Sequence, residues 1–109
     1  VEMPPLPDRY LTDGEFLNFG NSSMKVILVP GHSPGSICLY SENDSLLICG
    51  DVLFNGSVGR TDLPGGNHNQ LINGIQEKLM VLPGNTVVWS GHGPKTTIGH
   101  EYDTNPFLK

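Results

Sequence analysis

Three side chains that can bind a metal ion stand just past apolar runs of this sequence. His32 follows "VILVPG", Asp51 follows "LLICG" and His92 follows "VVWSG". Imidazole nitrogens and carboxylate oxygens are ligands that both zinc and iron accept in proteins. If the three runs are strands that end at one edge of a sheet, the residues that follow them meet there. The spacing therefore predicts one rim site with metal chemistry.

The same residues also have a simpler interpretation. A histidine that follows a strand is more often a turn or surface residue than a ligand, and four histidines in 109 residues are ordinary. His68 and His100 lack the strand-end placement, and we interpret both as solvated polar residues. The metal hypothesis thus depends on the three strand-end residues coming together.

The elements that would position these residues follow from the apolar pattern. Short β-rich runs predict strands over residues 15–19, 24–29, 36–40, 46–49 and 86–89. Leu71, Ile75 and Leu79 fall on one face of a helical period, which predicts a helix over 69–80. This order predicts an α/β layered fold, a mixed sheet with helical cover.

A hairpin is predicted around the loop 42–45. Pairing of Ser41 with Leu46 then places Cys38 opposite Cys49, where a disulfide is sterically conceivable. Nothing else in the sequence points to an oxidising compartment, so we expect reduced, buried thiols. Both sides of the hairpin are apolar, as in strands that are buried on two faces. One side carries Ile37, Leu39, Leu46 and Ile48, and the other carries Cys38, Tyr40, Leu47 and Cys49.

The composition excludes several classes of function. The chain has 109 residues, of which 37% are hydrophobic, so one domain with a modest core is expected. Its net charge of -5 disfavours nucleic acids and anionic membranes as partners. No apolar run approaches the roughly 18 residues that cross a bilayer, and no secretory signal pattern is present. We expect a cytoplasmic protein.

Four longer motifs resemble a known family. "PPLPDRYLTDGEFLNFGN", "PGHSPGSICLY", "GDVLFNGSVGRTDLPGG" and "GHGPKTTIGHEYDTNPFL" are similar to the metallo-β-lactamase-fold hydrolases. The likeness is greatest to the short, single-domain, glyoxalase-II-like (hydroxyacylglutathione hydrolase-like) members. It implies a four-layer αββα sandwich, whose N-terminal half carries an H-x-H-x-D-H ligand cluster.

That cluster is missing here, because the sequence contains no H-x-H. We therefore expect residues 1–109 to be the C-terminal half of one such domain, without the N-terminal half. Val1 as the first residue agrees with this expectation. The alternative is a whole protein that has lost the cluster.

The resemblance also implies roles for the strand-end residues. Asp51 would bridge two metal ions and position a hydroxide between them, while His32 and His92 would each complete one metal. Zinc is favoured, and iron or manganese is possible. The hydroxide would attack a thioester or ester carbonyl of a small-molecule substrate. Three ligands are few for two metals, so this half alone is expected to be metal-poor and inactive.

Other residues of these motifs have two interpretations each. Arg60 and Asp62 either bind the substrate or pair with each other to stiffen a glycine-rich loop. Lys95 and Thr96 either face the site or belong to a turn that leads into the C-terminal segment.

Two rival functions remain from the sequence. One is a related persulfide dioxygenase with a single iron, whose likeness includes a similar "GRTD" stretch. The other is a non-catalytic binding module on the same scaffold. In each case the apolar second face of the sheet predicts pairing with the N-terminal half or with a second copy of the chain.

Overall fold

A computed structural model describes residues 12–19, 22–32, 36–62, 64–91 and 93–108. The strands are β1 (Phe16–Phe19), β2 (Ser22–Leu28), β3 (Ile37–Ser41), β4 (Leu46–Gly50), β5 (Leu53–Phe54), β6 (Ser57–Val58), β7 (Val87–Ser90) and β8 (Thr96–Thr97). The helices are α1 (His68–Gly74) and α2 (Ile98–Thr104); a π-helical segment (Ile75–Leu79) continues α1, and a 3-10 turn (Pro106–Leu108) follows α2.

The central feature is a six-stranded sheet in the order β1-β2-β3-β4-β7-β8. The pair β4–β7 is parallel and the other pairs are antiparallel, so the predicted mixed sheet with helical cover is confirmed. Strands β5 and β6 form a separate small hairpin. Because β4 and β7 run in the same direction, the chain leaves both at one edge, beyond Gly50 and Ser90.

The five predicted strands are confirmed to within two residues at each end. In the β3–β4 hairpin Ser41 pairs with Leu46, the predicted register. The Ser41 hydroxyl donates to Asp44 at 2.8 Å and closes the turn. Cys38 and Cys49 are free, buried thiols, and the hydrogen bond between them contributes most to raising the pKa of Cys49.

The predicted helix is present but changes type along its length. The Asn67 side chain caps α1 by accepting the amide of Gln70 at 3.0 Å. The chain then widens into the π-helical segment, and Leu71, Ile75 and Leu79 are all fully buried. In an α-helix, side chains four apart rotate by about 40° from each other, and a wider turn offsets this drift. The π-helical segment therefore keeps Leu79 on the face that meets the sheet.

One face of the sheet forms the core. Cys38, Tyr40, Leu47, Cys49 and Val88 lie on this face and pack with the buried residues of α1, the π-helical segment, α2 and the small hairpin. The strand register places Leu39, Leu46, Ile48, Val87 and Trp89 on the opposite face, which we call the open face. There Ile48 is 38% and Trp89 53% exposed, and the other three are half-buried.

The prediction of a single helix is wrong, because α2 is a second one. Thr97 caps α2 by accepting the amide of His100 at 3.1 Å. The helix buries only Ile98 and Glu101, so its sequence shows almost no apolar period. Among the described residues, no helix is long and apolar enough to cross a membrane.

Candidate metal centre

His32 is held by two loops. It lies four residues beyond β2, next to Gly31, whose carbonyl accepts the amide of Asn67 at 2.7 Å. The Nδ1 atom of His32 lies 2.8 Å from the carbonyl oxygen of Arg60. A carbonyl only accepts, so this geometry assigns a proton to Nδ1, and in the neutral imidazole the lone pair is then on Nε2. Metal-binding histidines are oriented in this way by a second partner.

Asp51 follows β4 directly and brings its carboxylate to the free side of that ring. The Nε2 atom of His32 lies 3.9 Å from Oδ2 of Asp51, which is longer than a direct hydrogen bond. The two side chains are 23% and 50% exposed. They therefore border one space that solvent can reach.

Glycines allow the loops to approach these two residues. A Cβ atom on Gly59 would collide with the carbonyl oxygen of Asp51 and lie 3.2 Å from the Cβ of His32. On Gly91 it would lie 3.0 Å from Oδ1 of Asp51. The Gly91 amide donates to the carbonyl of Gly50 at 2.7 Å, which ties the loop after β7 to the end of β4.

A cleft of about 540 Å³ opens over the pair. Its lining combines apolar and polar side chains with main chain: His32, Asp51, Phe54, Asn55, Ser57, Val58, Gly59, Arg60, Gly93 and Pro94. His92 itself lies outside the described residues, although its neighbour Gly93 borders the cleft. The structure thus brings His32 and Asp51 together and leaves the position of His92 a prediction.

Arg60 and Asp62 form an ion pair with two contacts. The distances are 2.8 Å from Nε to Oδ1 and 3.0 Å from Nη2 to Oδ2. The guanidinium lowers the pKa of the Asp62 carboxyl, and the carboxylate raises the pKa of Arg60. Both side chains are well exposed, at 62% and 70%. The loop-stiffening contact is therefore present, while Arg60 also lines the cleft and Asp62 does not.

Lys95 and Thr96 do not line the cleft. Thr96 is buried in β8, where its hydroxyl donates to Glu101 at 2.7 Å, and Lys95 is exposed just before it. The interpretation in which Thr96 faces the site is wrong, because its side chain points to α2. The interpretation as a turn is also wrong from Thr96 onward, since Thr96 and Thr97 form β8 and Ile98 begins α2.

A family model described as the metallo-beta-lactamase superfamily matches residues 2–92. The chain belongs to the metallo-β-lactamase superfamily. It is 48% identical to the probable metallo-hydrolase YqgX of Bacillus subtilis (strain 168), over 99% of this chain and 52% of that protein. It is 41% identical to the hydroxyacylglutathione hydrolase GloC of Haemophilus influenzae (strain ATCC 51907 / DSM 11121 / KW20 / Rd), over 94% of this chain and 49% of that protein.

A solved structure agrees with the fold. The crystal structure of TTHA1623 in a di-iron-bound form superposes with a TM-score of 0.85 at 45% identity, over 99% of this chain and 52% of that one. The chain thus spans about half the length of the relatives that it matches. The similarity confirms the sequence-based recognition of the family.

The described residues fit a metal ion of this superfamily in type but not in number. His32 and Asp51 offer one imidazole nitrogen and one carboxylate, the donors that zinc and iron take. Within the described ranges no three residues of the types His, Cys, Asp and Glu lie close enough to hold a metal. A closed zinc site takes about four ligands, so a zinc ion bound by this pair would need further ligands from elsewhere.

The small hairpin β5–β6 was not predicted from the sequence, and it lines the cleft with Phe54, Asn55, Ser57 and Val58. Each of its strands has only two residues, too few to show alternation. The Asn55–Gly56 dipeptide, which directly follows the apolar pair Leu53 and Phe54, was the available signal, and Gly56 has a φ of +78°.

Proposed function

We propose that this chain supplies part of the metal centre of a metal-dependent hydrolase, with His32 and Asp51 as two of its ligands. The single observation that carries this proposal is the His32 ring, which donates Nδ1–H to Arg60 and presents Nε2 toward Asp51 at 3.9 Å. The family membership supports the same assignment.

His92 is proposed as a third ligand, from its place after β7, with Asp51 as the ligand that two metals share. Such ions, when bound, activate water and polarise a carbonyl group. The chain's own residues would hold the ions, keep His32 in its Nδ1–H tautomer and form one wall of the cleft. Zinc is our first candidate, and the di-iron form of TTHA1623 supports iron as the second.

The proposed substrate is a small thioester or ester. The similarity to a hydroxyacylglutathione hydrolase supports a thioester. Phe54, Val58 and Pro94 give the cleft an apolar side, while Arg60 offers a cation at its rim. We propose that Arg60 orients the substrate and that Asp62 holds the Arg60 side chain in place.

The remaining ligands are proposed to come from an N-terminal half of the domain that packs on the open face. Ile48 and Trp89 are exposed there, and relatives about twice as long have further chain that can supply such a layer. A second copy of this chain is the other candidate partner.

The test uses the full-length protein. Metal content by mass spectrometry and hydrolysis of a hydroxyacylglutathione thioester are measured for the wild type, His32→Ala and His68→Ala. His68 is exposed at the start of α1, does not line the cleft and serves as the matched histidine control. The proposal is supported if His32→Ala loses both metal and hydrolysis while the histidine control retains both. A wild type that consumes oxygen with a persulfide and hydrolyses no thioester would instead assign the dioxygenase reaction, and a wild type without metal would overturn the proposal.

A further inference from the structure

A buried carboxylate lies on the core side of α2. The Glu101 side chain is fully buried, although glutamate is rarely buried without partners. Its Oε1 accepts the amide of Gly56 at 2.9 Å and the Nδ2 of Asn105 at 2.8 Å, and its Oε2 accepts the hydroxyl of Thr96 at 2.7 Å. The carboxylate thus has three donors around it, which is the condition for burying such a group.

Two bonds of this network reach the small hairpin that lines the cleft. Glu101 holds the amide of Gly56 at the hairpin turn. Asn105, which is also fully buried, donates from the same Nδ2 atom to the carbonyl of Ser57 at 3.2 Å. The hairpin contains only two paired residues on each strand, so its own ladder holds it weakly. Helix α2 therefore supplies contacts that the hairpin lacks.

The hairpin in turn continues into the peptide that orients His32. At its base the amide of Gly59 donates to the carbonyl of Val52 at 2.9 Å. The next residue is Arg60, whose carbonyl accepts Nδ1–H of His32. A shift of the hairpin would therefore move this carbonyl and change the direction in which Nε2 points.

We propose that Glu101 and Asn105 are positioning residues of the metal centre. They contact the small hairpin from the side that faces α2 and hold it in place. The hairpin in turn fixes the Arg60 carbonyl, which orients the ring of His32. The proposal rests on the proposed function only in taking His32 as a metal ligand. An apolar residue at position 101 could fill the same space, but it could not accept the Gly56 amide.

The test compares Glu101→Ala with Glu101→Gln and Thr96→Val in the full-length protein. The amide of glutamine keeps one oxygen for Gly56 and Asn105 and can donate to Thr96, so this variant should rescue the network. Thr96→Val removes one bond of the same carboxylate but leaves both hairpin bonds. The readouts are the hydrogen-exchange rate of the Gly56 amide, the NMR signal of the His32 Nδ1–H proton and the affinity for zinc.

In Glu101→Ala we expect exchange at Gly56 to rise about tenfold or more, since a hydrogen bond to a charged group is lost. The His32 proton signal should broaden, and zinc affinity should fall about tenfold, as for other outer-shell partners of a ligand. Glu101→Gln and Thr96→Val should stay close to the wild type. Unchanged Gly56 exchange and His32 signal in Glu101→Ala would overturn the proposal.

These readouts distinguish a failure of this proposal from a failure of the proposed function. If Glu101→Ala does not fold, Asn105→Ala is compared with Thr96→Val, and equal effects of the two on the His32 signal would overturn the proposal. If the wild type binds no metal, the proposed function fails, whereas the exchange and imidazole signals still show whether α2 positions His32.

Discussion

The ring of His32 is oriented by the main chain of Arg60, 28 residues away in sequence, through a bond of 2.8 Å from Nδ1 to the carbonyl oxygen. The side chain of Arg60 takes no part in this bond and pairs with Asp62 instead. One residue therefore makes two separate contacts: its carbonyl positions a candidate ligand, and its guanidinium pairs with Asp62. Substitutions can separate these contacts.

Arg60→Gln should leave the metal centre intact. The carbonyl remains in place, so metal content and the His32 Nδ1–H signal should equal those of the wild type. If the guanidinium orients the substrate, KM should rise while kcat changes little, because a binding contact is lost. Steady-state kinetics and metal analysis of the full-length variant test this, and a loss of metal would show that the side chain itself supports the site.

Gly59→Ala, in contrast to Arg60→Gln, should disturb the metal centre. The added methyl group collides with the carbonyl of Asp51 and crowds His32, so both candidate ligands must move. Overpacking of this kind costs about 1–3 kcal/mol of the free energy of unfolding. Gly84→Ala is the control, because its Cβ would make only ordinary contacts near Gly99. Equal metal affinity and melting temperature in the two variants would contradict the geometry described for Gly59.

Asp51→Ala in the full-length protein should greatly weaken both metal binding and hydrolysis. It removes a carboxylate that would offset the charge of the bound cations. Because even outer-shell partners are worth about 10–100-fold in affinity, a loss of at least about 100-fold is expected. Asp103→Ala, an exposed acid on α2, is the control for the loss of one negative charge. A mutant with full metal content and rate would exclude the bridging role.

The open face should make the 109-residue chain associate. Exposed Trp89 and Ile48 continue a row of half-buried apolar side chains, and about 400 Å² of such surface left in water forgoes about 10 kcal/mol. Sedimentation at micromolar concentration should therefore show a species larger than the monomer. Trp89→Glu should weaken this association, while Tyr102→Glu, which replaces an exposed aromatic on α2, should not. A well-folded, non-associating monomer would contradict this prediction.

The free energy of unfolding is expected to depend on pH through Asp13. Its Oδ1 accepts the amide of Leu28 at 2.9 Å and its Oδ2 pairs with Lys78 at 2.9 Å, and these bonds lower its pKa below the ordinary 3.8. The folded state thus binds this proton less tightly than the unfolded state. The ionised Asp13 therefore stabilises the folded state fully well above pH 3.8, and this stabilisation disappears as the pH falls through the lowered pKa.

Asp13→Asn tests this directly. The variant should be less stable than the wild type at pH 7, by at most about 1 kcal/mol because the pair is partly exposed. The difference should shrink toward pH 3. Urea unfolding of both proteins between pH 7 and pH 3 measures this difference in the free energy of unfolding. A difference that grows toward low pH would contradict the lowered pKa of Asp13.

Five of the six strands of the sheet were predictable because they carry local signals, whereas the two-residue strand β8 was not predicted. The apolar runs that contain Val26, Leu39, Leu47 and Val88 are bounded by turn residues, and each became a strand within two residues of its predicted ends. The hairpin register followed from the four-residue loop alone. Such features depend on neighbours in sequence, so the sequence is enough to determine them.

Helix α2 was not predictable from an apolar period, and Glu101 is the reason. The position that faces the core carries a carboxylate, whose burial depends on hydrogen bonds from the nearby Thr96 and Asn105 and from Gly56, 45 residues away in sequence. A sequence pattern counts such a residue as exposed. Polar residues buried by long-range hydrogen bonds are therefore assigned to the surface.

For the candidate site, too, some features follow from the sequence and others only from the tertiary structure. The sequence by itself determined which residues have metal-binding chemistry and that His32, Asp51 and His92 follow apolar runs. The tertiary structure decided that His32 and Asp51 lie 3.9 Å apart, although β3 separates the strands that precede them. It also decided that Nε2 faces the carboxylate, because that orientation depends on a carbonyl 28 residues away. Side-chain chemistry belongs to each residue, whereas distance and direction arise only when separate loops pack together.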